Sequence, residues 1–227
     1  MKRTKCILAA FGLFLFAQSG RADWTAAKRI TWTDGYSFNP AVATGSGNSV
    51  HVVWADETPG DQEIYYRRST DGGTTWSASK RLTWNSGDSN YPSIGIGSSG
   101  TLHVAWSDNT PGSTELYYKS SADGGITWNP AKRLTWTSEW CFSSAIALDS
   151  ADTIHLVWRR DYAHDEADIY YKSSLDGGVT WSVAEDLTGN NGRSYHPAVA
   201  IDSSDALHIV WHDEIPGNFE IYYKKST

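Results

Sequence analysis

Cysteine is nearly absent: of the two in 227 residues, Cys6 lies in an N-terminal stretch expected to be removed, so Cys141 is left alone and an intrachain disulfide is excluded. Long apolar runs are missing too. The longest, Cys6 to Ala17, is twelve residues, short of the roughly 17–25 that a bilayer-crossing helix needs. No window carries a helical period. Basic residues are outnumbered, 19 against 26 acidic, which argues against nucleic acid as a partner.

The first 22 residues have the layout of a secretory signal: a basic start at Lys2, Arg3 and Lys5, the apolar run, and small residues at Gly20 and Ala22. An uncleaved N-terminal anchor is the alternative. Cleavage would start the chain at Asp23 and lower the basic count from 19 to 15 against 26 acidic, a formal charge of −11. The expected location is secreted or periplasmic, with no membrane insertion after signal cleavage.

What the chain does have is tryptophan, twelve of them, in register with a repeat. Sliding the sequence by 52 or 53 residues aligns four columns. The first, SxDGGxTW, occurs at Ser69 to Trp76, Ser121 to Trp128 and Ser174 to Trp181. Ser69, Asp71 and Gly73, then Ser121, Asp123 and Gly125, then Ser174, Asp176 and Gly178 read as a tight turn. Its carboxylate accepts backbone N–H groups, and its glycine takes positive φ without a Cβ clash.

The second column ends on Trp54, Trp106, Trp158 and Trp211, with apolar residues on both faces of an alternating strand. The third pairs an acid and an aliphatic with two tyrosines, as in Glu63-Ile64-Tyr65-Tyr66. The fourth, Lys28 to Trp32, Lys80 to Trp84, Lys132 to Trp136 and the weaker Glu185 to Gly189, carries paired charges that suit an edge strand. Short strands near Ala41, Ser93, Ala145 and Ala198 complete four strands per unit. The repeats run approximately 24–75, 76–127, 128–180 and 181–227.

Repeats of four strands, apolar on both faces, imply an all-β β-propeller of four-stranded antiparallel blades, four of them in this chain. Eleven tryptophans fall on repeat columns and read as core; only Trp140 does not. A buried indole removes on the order of 200 Å² from water.

The SxDGGxTW turns resemble the Asp-box, or BNR, repeat of the sialidase superfamily, over essentially Trp24 to Thr227. The resemblance implies a turn between the third and fourth strands of a blade, on the face opposite the ligand site, and a ring of six blades. Either the N-terminal strand closes a four-blade ring or the blades belong to the larger one.

The ligand face is then formed by the loops between strands two and three and those leading into strand one, where the copies differ. Tyr36 and Asn39, Tyr91, Trp140, Tyr195 and His196 occupy the entry to strand one. Arg159, Arg160 and Arg193, outside every column, join His196 and His212 as an anion-binding patch. Surface ion pairs to Asp161, Asp165, Glu166 or Asp213 are the plainer reading. Acids after the strand-two tryptophan, at Asp56, Asp108, Asp161 and Asp213, read as loop-fixing groups.

His51, His103, His155 and His208 recur one per unit, which suits packing and hydrogen bonding better than a metal cluster. No metal and no cofactor are expected. Sialidase-like enzymes resemble one another in an arginine triad, a tyrosine nucleophile assisted by Glu, and an Asp acid. No such set is assignable here, and Arg29-Ile30-Thr31 only mimics the family's N-terminal Arg-Ile-Pro motif. The expected function is non-catalytic binding of a glycan or a cell-surface protein through the loop face; an exo-α-sialidase-like glycoside hydrolase is the alternative.

Overall fold

The computed structural model describes residues 23–162, 166–190, 192–215 and 217–226. Residues 1–22, which the sequence reading takes as a secretory signal, and Asp165 lie outside them. The chain divides into two units, Met1–Ile30 and Thr31–Thr227. The described part of the first, residues 23–30, contains neither helix nor strand.

The second unit holds four antiparallel sheets. Blade one is β1 (Ser37–Thr44), β2 (Val50–Asp56), β3 (Glu63–Ser69) and β4 (Lys80–Arg81). Blade two is β5 (Ser89–Ile96), β6 (Leu102–Asp108), β7 (Glu115–Ser121) and β8 (Lys132–Arg133). Blade three is β9 (Trp140–Leu148), β10 (Ile154–Asp161), β11 (Ala167–Ser174) and β12 (Glu185–Asp186). Blade four is β13 (Ser194–Ile201), β14 (Leu207–Asp213) and β15 (Glu220–Lys225), with no fourth strand among the described residues.

The first strands stand side by side in succession, β1 against β5, β5 against β9 and β9 against β13. The apolar faces meet between blades. Val53, Ala55, Ile64 and Tyr66 of blade one pack with Ile94, Val104 and Trp106 of blade two, and the same pattern joins blades two and three and blades three and four. Alternation along each strand is why both faces of a sheet can be buried.

Each joint is also hydrogen-bonded. In every blade a histidine Nδ1 meets the hydroxyl of the second tyrosine, at 2.8 Å for His51–Tyr66 and 2.6 Å for His103–Tyr118. Tyr66 Oη donates to Gly124 O of the next blade at 3.0 Å, and Tyr118 Oη to Gly177 O at 3.0 Å. The tyrosine rings meet Trp128 and Trp181 edge-on. Behind them Lys119 Nζ donates to Leu82 O at 2.6 Å and Lys172 Nζ to Leu134 O at 2.8 Å. Tyr118→Phe is therefore expected to cost about 1–3 kcal/mol, because it orphans the buried His103 imidazole and removes the donor to the Gly177 carbonyl; urea unfolding of the variant measures it.

The Asp-box turns have the expected wiring. Ser121 Oγ accepts from Gly125 N at 2.8 Å, and Asp123 Oδ1 accepts from Thr127 N at 2.8 Å. The same bonds recur at Ser69, Asp71 and Gly73 and at Ser174, Asp176 and Gly178. Hydrogen bonds from Thr75 hold the Asp71 carboxyl down at about 2. Trp76 and Trp181 brace their own turns by donating to Gly73 O and Gly178 O.

The reading of all repeat tryptophans as core needs correction. Trp54, Trp106, Trp158 and Trp211 are buried, but Trp32, Trp84 and Trp136 are 64%, 66% and 68% exposed, and Trp24 92%. The fourth-strand pairing of blades one and two lasts only two residues, Lys80–Arg81 and Lys132–Arg133, so Trp84 and Trp136 lie beyond it, and Trp24 and Trp32 belong to no strand. Trp84 carries cations, Lys119 and Arg81, 5.5 and 5.9 Å from its ring.

Candidate ligand site between blades three and four

Of the residues expected in loops entering the first strand, Asn39, Tyr91, Trp140, Tyr195 and His196 belong to the strand itself, and Tyr36 directly precedes it. Each innermost strand starts earlier and passes a bulge, between Phe38 and Ala41, Asn90 and Ser93, Phe142 and Ala145, and Tyr195 and Ala198. At the bulge Asn39, Tyr91, Ser143 and His196 all take φ near +50°. Positive φ at four equivalent non-glycine positions is paid for by the ladder on either side, and bulges re-aim side chains at functional edges.

Blade three breaks the pattern its neighbours share. In blades one, two and four a serine and a buried aspartate face each other: Ser37–Asp56, Ser89–Asp108 and Ser194–Asp213. Each aspartate accepts from the serine and from its strand's tryptophan, as Asp108 does from Ser89 Oγ at 2.8 Å and Trp106 Nε1 at 3.3 Å. It also accepts the backbone N–H two residues on, which fixes the loop between strands two and three. Burial raises the Asp56 and Asp213 carboxyls, but these bonds outweigh it and leave both below their usual value.

In blade three the facing pair is Cys141–Arg160. One extra residue separates the tryptophan from the acid, so Asp161 is not the counterpart of Asp56, Asp108 and Asp213, as its place in the sequence suggested. Arg160 is. Its Nη2 bonds Glu139 at 2.6 Å, and burial pushes the Cys141 thiol up to about 11. Trp158, deprived of an acceptor, keeps a buried indole N–H with no hydrogen-bond partner among the described residues.

Arg159 points to the other side of the blade and organises the site. Its guanidinium lies 5.0 Å from the Phe142 ring and 4.7 Å from the Tyr195 ring, and Nε meets Asp161 Oδ1 at 2.7 Å. Tyr195 touches His212 edge-on at 5.6 Å, His212 lies 5.2 Å from His196, and Phe219 closes the cluster 4.7 Å from His212. Tyr91 of blade two reaches Phe142 at 6.2 Å. Burial, then His196 and Arg159, lower the His212 pKa, so the imidazole is neutral at pH 7. Burial raises the Asp161 carboxyl despite the guanidinium beside it.

Of the candidates read from sequence, Tyr91, Arg159, Tyr195, His196 and His212 come together. Trp140, 46% exposed, lies at the edge, paired across the ladder with Asp161. Arg160 serves the opposite face of the blade. There a cavity of about 210 Å³ is lined by Trp136, Thr137, Cys141, Trp158, Arg160 and Lys172. Arg193 pairs with Glu214 at 3.5 Å. Tyr36 stands exposed on blade one, and Asn39 Nδ2 spends its donor on Asn90 Oδ1 at 2.8 Å, tying blades one and two. The plainer expectation of ion pairs thus holds for Arg159, which nonetheless sits at the centre of the cluster.

Sequence reading missed Phe219. Its signal was an aromatic where the other copies have Gln62, Thr114 and Ala167. Among the described residues no group of three His, Cys, Asp or Glu is arranged to hold a metal.

Four antiparallel sheets set side by side, with Asp-box turns on one end and bulged strands at the other, define the blades of a β-propeller. Residues 13–222 match the family model of the BNR repeat-like domain, and the chain belongs to that family. No curated protein matches in sequence. Among solved structures, the Penicillium chrysogenum alpha-L-arabinanase complexed with arabinobiose is similar, with a TM-score of 0.66 at 18% identity over 84% of this chain and 62% of that one. The Bacteroides thetaiotaomicron endo-arabinase gives 0.62 at 16% identity, over 88% and 78%. The Trypanosoma rangeli sialidase in complex with the inhibitor DANA gives 0.63 at 15%, over 84% and 36%. The present chain therefore spans 62% of the length of the first of these and 36% of the last, and the likeness is one of fold.

Proposed function

We propose that this is an exported propeller protein that binds an acidic sugar, without turning it over, in the cluster around Arg159. The observation that carries this reading is the guanidinium held between the Phe142 and Tyr195 rings beside the His196–His212 pair. Ring faces suit the apolar side of a pyranose, and a guanidinium with paired imidazoles suits its carboxylate. Glycan complexes among the neighbours, arabinobiose for the arabinanase and sialic acid for the sialidase, support a sugar as the ligand class.

Arg159→Met keeps the stem that packs on the rings and removes the charge. It is expected to weaken binding of a sialylated or uronate-bearing glycan by about 1.5–3 kcal/mol, roughly tenfold to a hundredfold, on a glycan array or by calorimetry. A neutral arabino-oligosaccharide binding the wild type equally well would count against an acidic ligand.

Binding should also strengthen as pH falls from 7.5 toward 5.5. His212, facing Arg159, His196 and Asp213, is neutral when free, and a bound carboxylate favours its protonated form. An affinity flat across that window removes the imidazoles from the site.

A second reading, glycoside hydrolysis, rests on Asp161, whose raised carboxyl stands beside the cluster. Turnover of a fluorogenic sialoside that is lost in Asp161→Asn would favour it over binding alone.

A further inference from the structure

Two consecutive joints carry the same cavity with opposite charge. Between blades one and two it measures about 360 Å³, and its wall includes the exposed Trp84, the buried Trp106, Lys119 and Asp108. Between blades two and three it measures about 210 Å³, and the equivalent residues are the exposed Trp136, the buried Trp158, Lys172 and Arg160. The exchange follows from the strand register, since Arg160 faces Cys141 where Asp108 faces Ser89. An ammonium and a carboxylate share the first wall; two cations share the second.

The donors are the same in each joint, but the acceptor is not. Trp54, Trp106 and Trp211 give their indole N–H groups to an aspartate of the same strand, at 3.0, 3.3 and 3.2 Å. Trp158 is 1% exposed, and its Nε1 has no hydrogen-bond partner among the described residues. Arg160 Nε is buried and has none either. A buried donor without an acceptor has given up its bond to water for nothing, so both groups favour whatever can accept from them.

The neighbouring acids do not serve Trp158. Glu139 takes Arg160 Nη2 at 2.6 Å, and Glu115 is held by Arg133, Thr137 N and the Thr135 hydroxyl. Lys172 gives its ammonium to Leu134 O at 2.8 Å. The Cys141 thiol is neutral at pH 7, because burial pushes it up to about 11. One water occupies roughly 10–15 Å³ of such a cavity, so this one has room for an organic acid. Trp158 and Cys141 are buried, whereas the Arg160 side chain is 23% exposed and is the wall that can shift to admit it.

We infer that the cavity between blades two and three binds a small carboxylic acid, whose carboxylate accepts from Trp158 Nε1 and Arg160 Nε as the Asp108 carboxylate accepts from Trp106 and Ser89. The rest of the acid lies against the Trp136 ring. This is a second site, on the other face of blade three from the Arg159 cluster, and it does not depend on what that cluster binds.

The Trp158 indole N–H signal in nitrogen–proton NMR spectra, assigned with Trp158→Phe, tests it. Acetate or benzoate is exchanged for chloride at constant ionic strength, with neutral acetamide as the control. The expected result is a saturable downfield movement of the Trp158 proton with both acids and none with acetamide, benzoate binding more tightly. Arg160→Met should weaken both acids by about tenfold or more, and Trp136→Ala should weaken benzoate alone. Cys141→Ser combined with Arg160→Asp rebuilds the pair of blade two; its indole proton should start downfield and ignore both acids. Arg159→Met should leave the response intact. A Trp158 signal that no acid moves would overturn the inference, leaving the indole to water only. So would an equal response to acetamide, or unchanged affinity in Arg160→Met.

Discussion

Gly125→Ala is expected to destabilise the protein by about 2–5 kcal/mol, since a left-handed backbone costs an L-residue about 1–2 and overpacking about 1–3. Gly125 sits at φ +88°, and the added methyl would lie 2.1 Å from Tyr66 Oη, locked between His51 and Gly124 O. The tyrosine has no room to retreat, because Trp128 meets its ring edge-on. Gly73→Ala is the internal control: φ is +86°, and its nearest neighbour is Trp76 at 3.8 Å, so only the backbone term applies, about 1–2 kcal/mol. Paired urea denaturation curves measure the difference. Equal losses at the two glycines would mean that the tyrosine joint contributes little to blade stacking.

Arg133→Met is expected to cost about 3 kcal/mol, toward the low end for breaking a buried ion pair, because other donors to the carboxylate survive. Glu115 is fully buried and receives Arg133 Nη2 at 2.8 Å, Thr137 N at 2.6 Å and the Thr135 hydroxyl. Glu63 with Arg81 repeats the arrangement. Blade three has lost the cation: Asp186 stands opposite Tyr170, where Arg133 stands opposite Tyr117. Burial consequently raises the Asp168 carboxyl. A carboxyl whose folded pKa lies above its unfolded value costs stability at neutral pH and ceases to do so as pH falls through the folded value. Asp168→Asn should therefore leave the melting temperature at pH 7 unchanged or raise it, while Arg133→Met lowers it.

The strand pattern and the Asp-box turns were legible in the sequence because both rest on local rules. Alternation at Val50 to Trp54 sets two buried faces, and Asp-Gly-Gly sets one turn whatever surrounds it. The rim tryptophans were misread because Trp32, Trp84 and Trp136 share the repeat with Trp54 and Trp106, and periodicity cannot say how far a strand pairing extends. The spacing that moves Arg160 into the aspartate position was visible as one extra residue after Trp158, but its meaning depends on the register with Cys141. Arg159, His196 and His212 were singled out by being exceptions to the columns. That Phe142, Tyr195 and Phe219 surround them follows from bulges and blade stacking, which pattern alone does not supply. Closure by the N-terminal strand likewise depends on the placement of blade one against blade four, and no such strand pairs with β15 among the described residues.

Histidine-detected NMR of the protein, titrated through pH 5 to 8 with and without N-acetylneuraminate, puts the Arg159 cluster to the most direct test. The free His212 imidazole should titrate below the ordinary histidine value and move upward when the acid sugar is bound, and Arg159→Met should abolish the movement. An unchanged His212 titration in the presence of saturating sugar, with the effects falling on residues elsewhere, would contradict a site for acidic glycans between blades three and four.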